Sequence, residues 1–425
     1  MHNMRPSHYA KERHLNAETF RKRPIFLACL IISIGQLSMG LVFPSLPWIA
    51  KDFSITLDQA QLLVGIYLLG FGPSQFIYGP ISDSLGRKRV LLAGLLVAMA
   101  GLIAILAFSD SFEAMVLGRF LQGLGTGCCA VLARASTRDS YSGAQLPTAL
   151  SYIAMAASIT PLFAPVLGGF INHYFGWSMV FISLLCYVSL IWIVLALKFD
   201  ETMRNRKPLP SPLGMVKQYK ELVTTRYFIS FSGISWLNFS LVITTISLMP
   251  FVMQNQIGMS SDEYALWALI PALGMFTGTS LSNKLRPRIG IERTLKITPV
   301  LQLCAAAWLI LCPLEPLWLM LGQLIMVIGN GLALPCAQSL VMQPYRNRAG
   351  TAAALQGGGQ MIVSSIVSMS LMQIGLTHVW QLGMVIGLFA VITHFNIIAG
   401  LILRYLRVNW LSIQAKTEAR RARIF

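Results

Sequence analysis

The chain has 425 residues, of which 55% are hydrophobic and 12% charged, with a mean hydropathy of +0.64. That charged share is about half of what a soluble domain carries, and it excludes a water-soluble fold. The balance of 33 Lys and Arg against 16 Asp and Glu, net +17, would suit nucleic acid in a soluble protein, but the placement of the basic residues along the chain assigns them to membrane topology instead.

Apolar stretches long enough to cross a bilayer follow one another at Ile25 to Trp48, Gln59 to Tyr78, Val90 to Phe108, Phe112 to Ala133, Leu146 to Ile171 and Trp177 to Leu197. A second series runs Tyr227 to Met253, Tyr264 to Leu281, Leu295 to Pro313, Pro316 to Val341, Gly350 to Leu376 and Val379 to Leu403. The expected fold is therefore an all-α integral membrane protein of twelve spans, arranged as two six-helix bundles. Its units are a polar head (1–24), a first bundle (25–198), a linker (199–226) with Pro208, Pro210 and Pro212, a second bundle (227–404) and a basic tail (405–425). With the head placed in the cytoplasm, 31 of the 33 basic residues fall on that side. Lys51 alone lies opposite, and Arg119 sits within a span. Such one-sidedness is what orientation by positive charge demands of an even number of spans, with both termini cytoplasmic.

The seven cysteines (Cys29, Cys128, Cys129, Cys186, Cys304, Cys312 and Cys336) all lie in apolar runs without CxxC spacing or a neighbouring His cluster. They read as small buried hydrophobes, and no metal site or cofactor is expected. The sequence holds no Walker-type phosphate loop, HExxH or GxSxG, so neither an ATP-driven pump nor a membrane-embedded hydrolase fits.

Between the second and third spans stands Gly79-Pro80-Ile81-Ser82-Asp83-Ser84-Leu85-Gly86-Arg87-Lys88-Arg89, with a partial echo at Gly278-Thr279-Ser280-Leu281-Ser282-Asn283-Lys284 after the eighth. The turn resembles the signature of the major facilitator superfamily, with Gly79, Asp83, Gly86, Arg87 and Lys88 in place. Three further stretches resemble its drug/proton antiporter branch and, within it, the bicyclomycin-resistance group: Arg119-Phe120-Leu121-Gln122-Gly123, Ala164-Pro165-Val166-Leu167-Gly168-Gly169, and Ala349-Gly350-Thr351-Ala352. The resemblance runs from about Ile25 to Arg404.

It implies an inner-membrane secondary transporter that exchanges protons for small amphipathic compounds by alternating access. It further implies a cytoplasmic latch in which Asp83 meets the first turn of the eleventh span at Gly350 and Thr351 while Arg87 pairs Asp139. Backbone N–H groups and the positive end of a helix would favour that carboxylate on physical grounds too. In the fifth span, Pro161 and Pro165 remove backbone donors and Gly168 and Gly169 remove side chains, so the helix should bend and admit a close neighbour. Tight packing alone is an equal reading of that pattern.

Arg119 lies about 9 Å of helix from the outer end of its span, where a charge is costly unless paired or hydrated. The resemblance assigns it to proton coupling, often with an acidic partner in the first span, but that position is Gly40 here. None of the 16 carboxylates lies in the middle of a span. Backbone carbonyls, Gln36, Gln122 or water are left to satisfy Arg119. His394 is the other candidate for proton transfer.

A cavity without a buried carboxylate favours neutral or anionic cargo over cations. With the first, fourth, seventh and tenth spans lining it and the second, fifth, eighth and eleventh in support, as the resemblance implies, the candidate contacts are Gln36, Tyr67, Gln122, Tyr152, Met155, Trp236, Asn238, Trp267, Asn330, Gln338 and Gln360. Each residue type is also ordinary in helix packing. Multidrug export leads; export of one endogenous metabolite such as a siderophore, or uptake symport, are the alternatives. The expected partners are a small-molecule substrate and membrane lipid, with no nucleic acid and a monomeric state.

Overall fold

A computed structural model describes residues 22–421 apart from 144, 204–207 and 210. Most of the polar head and the end of the basic tail lie outside the described residues. Eleven described helices are individually long and apolar enough to cross a bilayer. They are Lys22–Asp52, Leu57–Leu85, Arg87–Ala107, Phe112–Ser140, Gln145–Phe175, Trp177–Lys198, Arg226–Gln256, Ser261–Ile289, Ile291–Leu311, Pro316–Tyr345 and Val379–Leu406. The remaining span, Ala349–Gln373, is less apolar because Gly, Ser and Gln replace bulky side chains; it packs along Leu57–Leu85 and completes the twelve. Below, these are the first to twelfth spans in chain order.

The turns follow from local chemistry. A capping box of Thr56 with Gln59 starts the second span and another of Ser260 with Glu263 starts the eighth, while the Ser111 hydroxyl accepts from the Ala114 N–H at 3.1 Å to start the fourth. The tight turns after the second, fifth, eighth and eleventh spans each place a glycine at positive φ: Gly86 (104°), Gly176 (83°), Gly290 (86°) and Gly375 (96°). Glycines at positive φ also stand after the fourth and seventh spans, at Gly143 (52°) and Gly258 (88°).

Packing sorts the spans into two groups. The first six share one apolar core, which Ile243 and Phe251 of the seventh also join, and the last six are built around two others. Two seams join the groups. The second span runs alongside the eleventh, and the fifth meets the eighth, with the 3-10 turn Phe43–Ser45 of the first against the seventh and eighth. Between the groups, the linker forms a helix at Pro212–Val223 whose Tyr219 ring packs 5.0 Å from Phe76 of the second span. Two residues on, Glu221 pairs with Arg348 of the C-terminal group at 2.8 Å. Removal from water pushes the Tyr219 phenol above its ordinary pKa, so it stays a donor, 3.4 Å from the Phe76 carbonyl.

Among the cysteines, Cys128, Cys129 and Cys336 are buried, but Cys186 and Cys304 are exposed on helix surfaces. Their apolar surroundings in sequence are lipid-facing flanks, not core.

Candidate functional site

The fourth span carries the one fully buried arginine among the described residues. Its glycines let neighbours approach closely, so that a Cβ at Gly123 would overlap the Tyr67 carbonyl. Arg119 is 0% exposed, and its guanidinium is held by three acceptors. Nε donates to the Leu63 carbonyl at 3.1 Å, and Nη1 donates to the Ser38 carbonyl at 3.1 Å and to Gln122 Oε1 at 2.7 Å. The Tyr67 ring lies against it, 4.4 Å from the guanidinium carbon, and the Tyr67 hydroxyl is shared between the Gly35 carbonyl (3.1 Å) and Thr126 (2.9 Å). Arg119 thus ties together the first, second and fourth spans. No carboxylate pairs with it among the described residues.

A second polar cluster sits in the C-terminal group. Gln302 Nε2 donates to Asn238 Oδ1 at 2.8 Å and to Asn330 Oδ1 at 2.9 Å, joining the ninth, seventh and tenth spans. It is neutral where the N-terminal cluster is charged.

Four expected cargo contacts must therefore be corrected. Tyr67, Gln122, Asn238 and Asn330 are 1% exposed or less and are spent on helix-to-helix bonds within their own group. Spans with few polar residues give no sequence signal of which face turns inward. Gln36, Trp236 and Trp267 are half-buried, and Trp236 donates to the Gln356 carbonyl at 3.0 Å. Gln360 is buried, whereas Tyr152, Met155 and Gln338 are exposed. His394 is also exposed, beside Phe395, and no hydrogen bond or ion pair joins it to Arg119.

At the Leu85 end of the second span, Arg87 pairs with Asp83 at 2.5 Å and with Asp139 at 3.0 Å. Asp83 bonds within its own turn; it and the start of the eleventh span, Gly350 and Thr351, are opposite walls of one cavity of about 320 Å³, which Gly79, Arg134 and Arg138 also line. Thr351 instead reaches Gln218 of the linker helix at 3.5 Å. Sequence reasoning missed Glu201, whose carboxylate accepts from the backbone N–H groups of Arg87 (2.8 Å) and Lys88 (3.2 Å) and caps the third span. Its only signal was a lone acidic pair, Asp200 and Glu201, directly after the sixth span in a strongly basic stretch.

On the face away from Asp83, polar contacts join the two groups, and beside them lies a cavity of about 800 Å³ lined by Trp48, Lys51, Gln254 and Thr377 among others. Asn172 donates to Ser261 at 2.7 Å, His173 lies 3.0 Å from Asp262, and Gln254 joins Trp48 (3.1 Å) and the Pro44 carbonyl (2.9 Å). Gln61 donates to Ser368 at 2.8 Å, and Ser365 to the Gly65 carbonyl at 2.7 Å. The glycines of the fifth span make this contact possible: a Cβ at Gly168 would overlap the Leu41 carbonyl, and one at Gly169 would overlap Ala265. The fifth and eighth spans are otherwise the least enclosed of the eleven apolar spans. The groups thus touch along this seam and carry a cavity between them at each end, about 320 Å³ at Asp83 and about 800 Å³ beside Trp48 and Gln254.

The comparisons with known proteins agree with this architecture. The Major Facilitator Superfamily profile matches residues 28–369. An uncharacterized MFS-type transporter, YdgK of Bacillus subtilis (strain 168), is 30% identical over 86% of this chain and 92% of its own. Multidrug resistance protein D of Escherichia coli (strain K12) is 28% identical over 87% and 93%, and multidrug resistance protein MdtL of Citrobacter koseri 26% over 80% and 87%. Among solved structures, a D-xylose-proton symporter superposes with a TM-score of 0.70 at 15% identity, covering 87% of this chain and 96% of the symporter. A bacterial homolog of the lysosomal transporter Spinster, in its inward-facing occupied form, gives 0.69 at 16%, over 91% and 97%. A profile match across most of the twelve spans, with full-length relatives and the same helical architecture, leads to one assignment: this chain is a multi-pass membrane protein of the major facilitator superfamily.

Proposed function

We propose that the protein is a bacterial inner-membrane exporter of small amphipathic compounds, driven by proton entry, with both termini in the cytoplasm and a monomer as the working unit. The observation that carries this reading is the set of relatives named for multidrug resistance, which align over about nine-tenths of their own length. Two physical features support it. A bonded seam between the groups with a cavity at either end of it is what alternating access needs, and the small, weakly bonded patches of that seam permit it to open. Arg119 binds three spans at once, so any movement of one must be felt by the others.

In this reading the latch between Asp83 and the start of the eleventh span forms when the inner cavity closes, and Arg87 with Asp139 holds the turn in place. With no carboxylate at Arg119, cargo that is neutral or anionic should outcompete lipophilic cations. The arginines of the inner cavity point the same way, and would equally suit a single acidic metabolite as cargo.

The test is pH-driven cargo accumulation in everted vesicles, where the inner face is presented to the medium. Arg119→Ala should insert normally and lose at least about tenfold in proton-driven transport, the scale of a lost 1.4 kcal/mol or more in the coupled step. Normal pH-driven transport by that variant would remove Arg119 from the mechanism, and strong competitive transport of ethidium-like dyes would overturn the cargo assignment.

A further inference from the structure

A guanidinium offers five N–H donors. In Arg119 three are spent, on the Leu63 carbonyl, the Ser38 carbonyl and Gln122 Oε1. The two on Nη2 have no acceptor, although the residue is 0% exposed. The same is true of Gln122 Nε2 and the Ser38 hydroxyl. Both residues already hold Nη1 through their oxygens, so their unsatisfied groups neighbour the guanidinium, the Ser38 hydroxyl lying beside Tyr67 as well. Of the three groups, two only donate, and the hydroxyl is free to turn and donate. What they jointly lack is an acceptor.

The guanidinium also lacks a counter-charge. No carboxylate pairs with it among the described residues, and the Tyr67 ring offers only the weak attraction of its π face. A water molecule would take some of the N–H groups but leave an uncompensated charge in a sealed helix bundle, which is costly. A species that accepts from several donors and carries negative charge answers both needs. Because Arg119, Gln122 and Ser38 are all buried, a cargo-sized carboxylate has no way to reach them.

We propose that Arg119 Nη2, Gln122 Nε2 and the Ser38 hydroxyl form a binding site for a small monovalent anion of chloride size, which serves as the counter-ion of Arg119 inside the N-terminal group. The proposal concerns binding alone and stands apart from the direction and cargo of transport.

The test uses the purified full chain in detergent, at constant ionic strength, with chloride or bromide exchanged for gluconate. Chloride and bromide should raise the melting temperature saturably and gluconate should not. Crystals grown in bromide should show anomalous density beside Arg119 Nη2. Gln122→Glu sets a carboxylate against Nη1 with little change of shape. It should melt in gluconate at or above the wild type and no longer respond to chloride. Equal melting of the wild type in chloride and gluconate, bromide density only elsewhere, or a wild-type chloride response in Gln122→Glu would overturn the site, water alone then filling it. Should that variant fail to insert, the wild-type titration and the bromide density decide alone.

Discussion

Tyr67 shows how much a single side chain does in this protein. Its ring lies against Arg119 and its hydroxyl bridges the Gly35 carbonyl and Thr126, so it links the first, second and fourth spans without touching a cavity. Tyr67→Phe should keep the ring contact and lose about 1 kcal/mol of stability, read as a lower melting temperature. A variant as stable as the wild type would show those two bonds to be idle. Arg119 was legible in the sequence as a lone charge in an apolar run, and Gln122 as its neighbour one helical turn on. The Leu63 and Ser38 carbonyls were not, because which helix faces Arg119 is set by tertiary register. The same blindness to helix rotation sent Asn238 and Asn330 to the cargo cavity instead of the sealed amide cluster with Gln302.

Among the helices, the fifth carries glycines that admit close neighbours. Which neighbours they admit, Leu41 at Gly168 and the eighth span at Gly169, emerged only from the packing. Gly169→Val should therefore force the outer seam apart at a cost of about 1–3 kcal/mol. The readout is labelling from outside of a cysteine placed at Ala265, which should speed up; unchanged labelling would mean that the seam has slack at this point. For the inner turn, Asp83→Asn should bias the protein away from its outward-open form, and equal accessibility of engineered cysteines on both faces would count against the latch. Glu201 escaped notice because an acidic residue in a basic linker looks solvated. Its role depends on the sixth span ending beside the start of the third.

At the scale of the whole molecule, composition and the distribution of Lys and Arg were enough to fix the number of spans, because hydrophobic length and side preference are properties of the chain itself. The conformational stage was not legible. It depends on which ends of the two helical groups touch, and here polar bonds join them at Asn172 and Ser365 while cavities stand at Asp83 and beside Trp48. The central claim is that transport requires this seam to open and close. Asn172→Cys with Ser261→Cys, in a background freed of the seven native cysteines, replaces a 2.7 Å hydrogen bond across the seam by a reversible covalent bond. Oxidation should abolish proton-driven transport in everted vesicles, and reduction should restore it. Full transport by the verified cross-linked protein would contradict the account.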